Sequence, residues 1–116
     1  MLVVITGASG LLGANLADLL LREGHRVRAT RRGRSRVAHL EALPIEWVEA
    51  DLTGPTAGSS LARAFAGADA VFHCAAQVSI RKVATPEMVA ANVDGTASVL
   101  RAAAAASVRR LVHCST

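Results

Sequence analysis

The most constraining feature of this sequence is the segment LVVITGASGLLG, in which an apolar run leads directly into three evenly spaced glycines. The run Leu2–Thr6 is short, continuous and rich in β-branched residues, which is typical of a strand buried on both faces of a parallel sheet. After the glycines, leucines recur at helical spacing until Gly24, a residue suited to a helix C-terminus. The order strand, glycine turn, helix predicts a βα unit. The apolar helical positions are Leu12, Leu16, Leu19 and Leu20.

The rest of the chain continues this alternation. Further strands are predicted over residues 25–30, 44–51, 69–76 and 109–115, and further helices over 60–67 and 85–107. Thr85 suits the N-cap of the last helix, and Pro86 suits its first position. Ile45, Trp47 and Phe72 are predicted core residues. The alternation predicts a doubly wound α/β parallel sheet of the Rossmann type, with strand order 3-2-1-4-5 and soft boundaries after the second and third strands.

Length and composition narrow the class of protein. A chain of 116 residues with 52% hydrophobic residues is enough for one domain with a core. No apolar run approaches the roughly 18 residues of a membrane span, and the first residues lack the pattern of a signal peptide. These features predict a soluble, cytoplasmic protein, in which Cys74 and Cys114 are reduced thiols rather than a disulfide framework.

The net charge of +4 comes largely from arginine, and six arginines fall between Arg26 and Arg36. Such a cluster can bind nucleic acid, but those domains usually also carry a recognisable reading element and aromatic stacking residues. The sequence shows no such element, and only 3% of it is aromatic. We therefore expect a small-molecule substrate rather than nucleic acid or a membrane, and the sequence leaves a homodimer open.

The glycine turn predicts a site for a dinucleotide. Gly7 allows a tight turn, Gly10 lets the backbone approach a pyrophosphate, and Gly13 lets the helix pack closely on the sheet. The N–H groups and the dipole at the helix start then favour the phosphate charge. The spacing is G-x-x-G-x-x-G rather than the commoner G-x-G-x-x-G. The turn residues expected to contact the cofactor are Gly7, Ser9, Gly10, Leu11 and Leu12.

The end of the second strand indicates which dinucleotide is bound. In this fold an acidic residue about 20 residues beyond the glycines accepts a hydrogen bond from the ribose 2′-hydroxyl and selects NAD. Arg31 and Arg32 stand there, with Arg34 and Arg36 nearby. A guanidinium can hold a 2′-phosphate through two parallel hydrogen bonds. The pattern favours NADP over NAD, although a solvated basic loop remains an alternative.

Several segments together resemble the extended short-chain dehydrogenase/reductase family, within the NAD-dependent epimerase/dehydratase superfamily. The matching segments, which span nearly all of the chain, are TGASGLLG, VRATRRG, ADL, VFHCAA, NVDGT and RLVHCST. VRATRRG is most similar to the dihydroflavonol reductase-like branch. The resemblance implies that the chain corresponds to the N-terminal part of a longer protein, in which 1–116 is part of the dinucleotide-binding domain.

The resemblance also implies roles for individual residues. Asp51 would accept from the adenine amino group, Leu52 would lie against that ring, and Asn92 would be a structural anchor. Thr116 takes the position of the catalytic Ser/Thr that holds the reacting oxygen. The family's Tyr-x-x-x-Lys follows that strand, whereas this chain contains no tyrosine and its one lysine, Lys82, is misplaced. The chain alone is therefore expected to be inactive. The residues expected to line the cofactor at the fourth strand are Ala75, Ala76 and Gln77.

Two His-Cys pairs, at 73–74 and 113–114, form a potential zinc ligand set. Successive residues of a strand point to opposite faces, so all four side chains cannot converge on one ion, and no metal site is expected. A contact between Cys74 and Cys114 stays open.

Together these observations predict an NADP-dependent oxidoreductase that transfers a hydride between nicotinamide and a carbonyl or alcohol. A nucleotide-sugar epimerase or dehydratase of the same fold is an alternative, as is a non-catalytic regulator that senses NADP.

Overall fold

A five-stranded sheet organises the protein, whose computed structural model describes residues 1–33, 37–75 and 83–114. In chain order the elements are β1 (Leu2–Thr6), α1 (Leu11–Arg22), β2 (Arg26–Arg31), a 3₁₀ turn (Ala38–Leu40), β3 (Ile45–Glu49), α2 (Ala57–Phe65), β4 (Ala70–His73), α3 (Pro86–Val89), a π-helical turn (Ala90–Asp94), α4 (Gly95–Ala105) and β5 (Arg110–His113).

All strand pairs are parallel, and the order is β3-β2-β1-β4-β5, which confirms the predicted topology. β1 occupies the centre, and each of its five residues is buried, as its continuous apolar pattern indicates. Its neighbours are β2 on one side and β4 on the other. The residues that follow β1, β2 and β4 are therefore brought together at one edge of the sheet.

Alternate residues of β1 enter two separate cores. Val4 packs in a cluster with Leu61 and Phe65 of α2 and with Val99 of α4. Ile5 packs on the opposite face in a cluster built around α1 and β2. The predicted core residues Ile45, Trp47 and Phe72 border this second cluster and are partly buried. One layer of helices therefore covers each face of the sheet.

α1 buries its small residues more deeply than its leucines. Leu12 and Leu19 are 58% and 51% exposed, whereas Gly13 and Ala17 are buried against the sheet. A Cβ on Gly13 would lie 2.3 Å from the Gly7 carbonyl oxygen. The helix therefore lies too close to the turn after β1 for any side chain at this position. The small residues make the closest contact, and other leucines of the helix pack beside them.

The predicted helix ends are confirmed at two positions. Gly24 has a φ of +87° and follows α1, where the His25 N–H donates to the Leu20 carbonyl at 3.0 Å. Thr85 caps α3, because its Oγ1 accepts from the Met88 N–H at 3.2 Å, and Pro86 is the first helical residue.

Two helical details were not predicted. α2 begins at Ala57, three residues before the predicted start. At the other end of α2, the Arg28 guanidinium donates to the carbonyls of Ala64 and Ala66 at 2.9 and 2.7 Å. The long last helix contains the π-helical turn Ala90–Asp94. Across the described part of the chain, no helix has the length and apolar character needed to cross a membrane.

Candidate cofactor cleft at the carboxyl ends of the strands

A cleft of about 320 Å³ opens where β1, β2, β3 and β4 end. In an open α/β sheet this edge, at the point where the strand order reverses, is the usual place for a ligand. Seven residues that the sequence singles out as cofactor contacts line the cleft. They are Gly7, Gly10, Arg31, Arg32, Asp51, Leu52 and Ala75.

Gly7 and Gly13 are required by the packing of the protein itself. Gly7 has a φ of +78°, and a Cβ there would lie 2.5 Å from the Ala75 nitrogen and 2.6 Å from the Cys74 carbonyl carbon. A Cβ on Gly13 would collide with the same turn from the helix side. These two positions admit only glycine in this backbone.

Gly10 is different, because a Cβ there would lie 3.5 Å from the Gly7 carbonyl oxygen, an ordinary contact distance. Its φ of −81° is open to any residue. Gly10 lies at the N-cap of α1, borders the cleft and makes no side-chain cap. The free space above it and the positive end of the helix dipole form a cradle for an anionic group.

Arg31 and Arg32 lie on the cleft at the end of β2. The Arg31 guanidinium carbon is 5.9 Å from the centre of the Trp47 ring, within the range of a cation–π contact. The buried Nε of Arg31 has no acceptor among the described residues. A buried donor left without a partner costs about 1–3 kcal/mol. The Arg31 side chain also borders the cleft, where its positive charge would attract an anionic group. Arg34 and Arg36 lie outside the described residues.

The other predicted contacts are distributed differently. Ser9, Leu11 and Leu12 are exposed beside the cleft rather than in its lining. Ala76, Gln77 and Thr116 lie outside the described residues. The cofactor contacts of all these residues, and of those that line the cleft, stay predictions.

Five further residues line the cleft without having been predicted from the sequence: Thr30, Ala50, Thr53, Cys74 and Ala91. Four of them directly adjoin a predicted contact in sequence, and this adjacency at strand ends was a usable signal. Ala91 comes from the π-helical turn, which side-chain periodicity does not reveal.

A buried hydrogen-bonded chain supports the cleft from below. Thr6 Oγ1 lies 2.6 Å from His73 Nδ1 and accepts from the Ala75 N–H at 3.4 Å. On the other side, His73 Nε2 is 3.0 Å from Thr96 Oγ1, which donates to the Asn92 carbonyl at 2.8 Å. These hydrogen bonds therefore connect the end of β1 to the π-helical turn.

The donors and acceptors in this series of hydrogen bonds assign the protonation of His73. Because the Thr96 hydroxyl gives its proton to Asn92, it accepts from an N–H on His73 Nε2, and Nδ1 accepts from Thr6. His73 is thus neutral and fully paired. Burial, with a smaller contribution from the charge of His113, lowers the pKa of His73 from 6.5 to about 4.

The two His-Cys pairs separate onto opposite faces, as the alternation of strand residues predicts. The His73 and His113 rings stack with centroids 5.2 Å apart on the side of α4. Cys74 borders the cluster on the α1 side, and its sulfur is 3.5 Å from that of Cys114. Burial and the contact with Cys114 raise the pKa of the Cys74 thiol to about 12. Within the described ranges, no three metal-binding side chains converge.

Known proteins match this chain along nearly its whole length. The model of the NAD dependent epimerase/dehydratase family matches residues 3–116. The chain is 42% identical over 115 residues to sterol demethylase protein B of Methylococcus capsulatus, covering 99% of this chain and 34% of that protein. It is 37% identical to a putative dihydroflavonol 4-reductase of Synechocystis, covering 96% of this chain and 31% of that one.

Solved structures also match along the whole chain. A short-chain dehydrogenase/reductase superfamily protein from Agrobacterium tumefaciens with bound NAD superimposes with a TM-score of 0.79 at 31% identity, covering 100% of this chain and 33% of that one. The chain spans about a third of the length of the curated relatives that it matches.

Proposed function

Because this chain belongs to the NAD-dependent epimerase/dehydratase family, we propose that it binds NADP(H) in the cleft and serves an oxidoreductase that interconverts a carbonyl and an alcohol. The observation that carries the proposal is the pairing of the Gly10 cradle with Arg31 and Arg32 in one cleft. A nicotinamide dinucleotide suits the family in general, and the two arginines favour the form with a 2′-phosphate.

The residues of this chain would hold the cofactor at three points. The start of α1 at Gly10 would bind the pyrophosphate. The Arg31 guanidinium, in contact with the Trp47 ring, would bind the 2′-phosphate, and Arg32 would add a second cation. Asp51 and Leu52 would bind the adenine edge and face at the end of β3.

When bound, the nicotinamide ring exchanges a hydride with the reacting carbon. The residues of this chain at the ends of β4 and β5 would orient that ring. By family resemblance, the Thr116 hydroxyl would donate to the developing alkoxide, and the proton would come from a tyrosine, a residue that this sequence does not contain. We place the enzyme in the cytoplasm with a small-molecule substrate and leave a homodimer open.

An epimerase or dehydratase acting on a nucleotide sugar is the second candidate, since the family description names both reactions. Such a reaction returns the hydride and leaves the cofactor unchanged in net terms. Net consumption of NADPH with a carbonyl substrate would support the reductase, and sugar conversion without it would support the alternative.

The direct test is cofactor preference in the intact protein. NADPH should bind at least about tenfold more tightly than NADH, equivalent to about 1.4 kcal/mol, because only NADPH carries a 2′-phosphate for the arginines to bind. Calorimetric titration measures both affinities. The fluorescence of Trp47 should also change on binding, since its ring lies beside Arg31.

A double variant and a matched control make this test specific. Arg31→Asp with Arg32→Asn should shift the preference toward NADH. Arg109→Asp with Arg110→Asn makes the same change in charge at an exposed pair at the opposite end of the sheet, and should leave the preference unchanged. Equal or reversed affinities in the wild type would contradict the assignment to NADP.

A further inference from the structure

The two cysteines of this chain lie side by side where β4 and β5 end. Their sulfurs are 3.5 Å apart, and both are free, partly exposed thiols. His73 pairs with His113, and the Cys114 N–H donates to the His73 carbonyl at 3.1 Å, so the two cysteines are opposite each other in register. A disulfide bond is about 2.05 Å long, so the sulfurs need to approach by only about 1.5 Å.

Neighbouring strands stand about 4.8 Å apart, whereas the Cβ atoms of a relaxed disulfide are about 3.8 Å apart. In-register residues of neighbouring parallel strands project side by side, so their Cβ atoms are about one strand spacing apart. A disulfide between them therefore draws the two strand ends together. Strained, accessible disulfides are easily reduced, and this property is typical of regulatory rather than structural bonds.

Drawing Cys74 toward β5 would disturb the cleft. Cys74 itself lines it, and the peptide between Cys74 and Ala75 supports the glycine turn, where a Cβ on Gly7 would lie within 2.6 Å of both residues. Because β4 lies between β1 and β5, a pull toward Cys114 moves this peptide away from Gly7.

We therefore propose that Cys74 and Cys114 form a reversible disulfide under oxidising conditions and that this bond weakens cofactor binding in the adjacent cleft. The formation of the bond is independent of the function proposed above, whereas its effect on the cofactor rests on that function.

Hydrogen peroxide is a sufficient oxidant. A Cys114 thiolate attacks one peroxide oxygen, the O–O bond breaks, and the sulfur becomes a sulfenic acid while the departing hydroxide takes a proton to form water. The Cys74 sulfur then attacks the sulfenic sulfur, and the second oxygen leaves as water with the thiol proton. Two thiols lose two electrons, and one peroxide becomes two waters. The raised pKa of Cys74 favours Cys114 as the first nucleophile.

Thermodynamic linkage gives the proposal a second consequence. If oxidation weakens NADPH binding by a given factor, NADPH must shift the thiol–disulfide equilibrium toward the thiols by the same factor. Bound cofactor should therefore protect the pair against oxidation in a glutathione buffer.

The experiment treats the intact protein with hydrogen peroxide, blocks free thiols with N-ethylmaleimide and maps the tryptic peptides by mass spectrometry. The peptide that ends at Arg81 should be joined to the peptide that begins at Leu111, and dithiothreitol should release them. Calorimetry should show NADPH affinity reduced by about tenfold in the oxidised protein. Cys114→Ser keeps Cys74 in the cleft and removes the bond, so peroxide should leave its NADPH affinity unchanged.

Two results would overturn the proposal: failure to find the joined peptides, or joined peptides with NADPH affinity equal to that of the reduced protein. A reduced protein that binds neither NADPH nor NADH would instead refute the proposed function and the cofactor part of the inference. The peptide map would still decide whether the disulfide forms.

Discussion

At the scale of single residues, the three glycines of the first turn are present for different physical reasons. Gly7 and Gly13 are needed because neighbouring backbone occupies the space of a side chain. Gly10 has room for a Cβ and an unstrained backbone. The simplest physical reason for glycine at position 10 is the close approach of a ligand to the start of α1.

Replacing Gly10 with valine should therefore separate binding from folding. Gly10→Val should abolish detectable NADPH binding in calorimetry, because a branched side chain fills the phosphate cradle. Its free energy of unfolding in urea should change by less than about 1 kcal/mol. Gly58→Val, at an exposed helical position with nothing within 4 Å of an added Cβ, should bind NADPH normally. Normal binding by Gly10→Val would place the phosphate site elsewhere.

His73 makes stability depend on pH. The unfolded chain takes up a proton near pH 6.5, but the buried imidazole resists protonation until about pH 4, so stability is complete above 6.5 and falls as the pH drops toward 4. The loss between pH 7.5 and 5 should be about 2 kcal/mol. Urea unfolding across this range measures it.

The matched variants are His73→Gln and His39→Gln. The first removes the buried titrating group and should flatten the part of the slope that His73 supplies. The second changes an exposed histidine and should keep the wild-type slope. A wild-type slope in His73→Gln would show that another group causes the pH dependence.

Residue type and spacing alone could predict that the glycine turn and the two arginines, Arg31 and Arg32, lie at one cleft. They could not predict the chain through Thr6, His73 and Thr96, since these residues are far apart in sequence and meet only through strand pairing and helix packing. The helical spacing of the leucines likewise does not show that Leu12 and Leu19 are exposed, because the close approach at Gly13 decides which face of α1 is buried.

At the scale of elements, two helices end in the same way with different residues. Gly24, two residues after the last residue of α1, has a φ of +87°, and Ser107, two residues after the last residue of α4, has a φ of +57°. In each, the residue after the turn donates to a carbonyl five positions back, His25 to Leu20 and Val108 to Ala103. The left-handed conformation suits glycine but strains serine.

Exchanging these residues should have opposite effects. Ser107→Gly should raise the free energy of unfolding by about 1 kcal/mol, because it relieves the strain at the end of α4. Gly24→Ser should lower it by a similar amount, although nothing lies within 4 Å of the added Cβ. Urea titration of both variants measures the effect. Changes of the same sign in both would refute backbone conformation as the cause.

The strands could be predicted closely because short segments rich in β-branched or alternating apolar residues recur between the turns, and β1, a continuous apolar run, matches its predicted bounds. Helix starts were less certain: α2 lacks a side-chain cap at Thr56 and begins early, whereas α3 begins as predicted at a capped threonine and a proline. The π-helical turn is a change in backbone hydrogen bonding, which leaves no trace in the pattern of apolar residues.

At the scale of the whole molecule, the proposed function separates binding of the cofactor from the reaction itself. The ends of four strands build the cleft, and changes there should alter affinity for NADPH. Thr116, at the end of the sequence after β5, is assigned by resemblance to the reacting oxygen. Changes at Thr116 should therefore alter turnover while leaving cofactor affinity intact, the reverse of the pattern expected for Gly10→Val.

In the intact protein, Thr116→Ala should lower kcat by roughly a hundredfold, because a hydroxyl that donates to a developing alkoxide stabilises the transition state more than the ground state. Thr116→Ser keeps the hydroxyl and should retain much of the activity. Calorimetry should give both variants the wild-type affinity for NADPH, which separates a catalytic effect from a distorted cleft. A kcat for Thr116→Ala within about threefold of the wild type would remove Thr116 from the reaction, and a matching loss of NADPH affinity would assign it to cofactor binding instead.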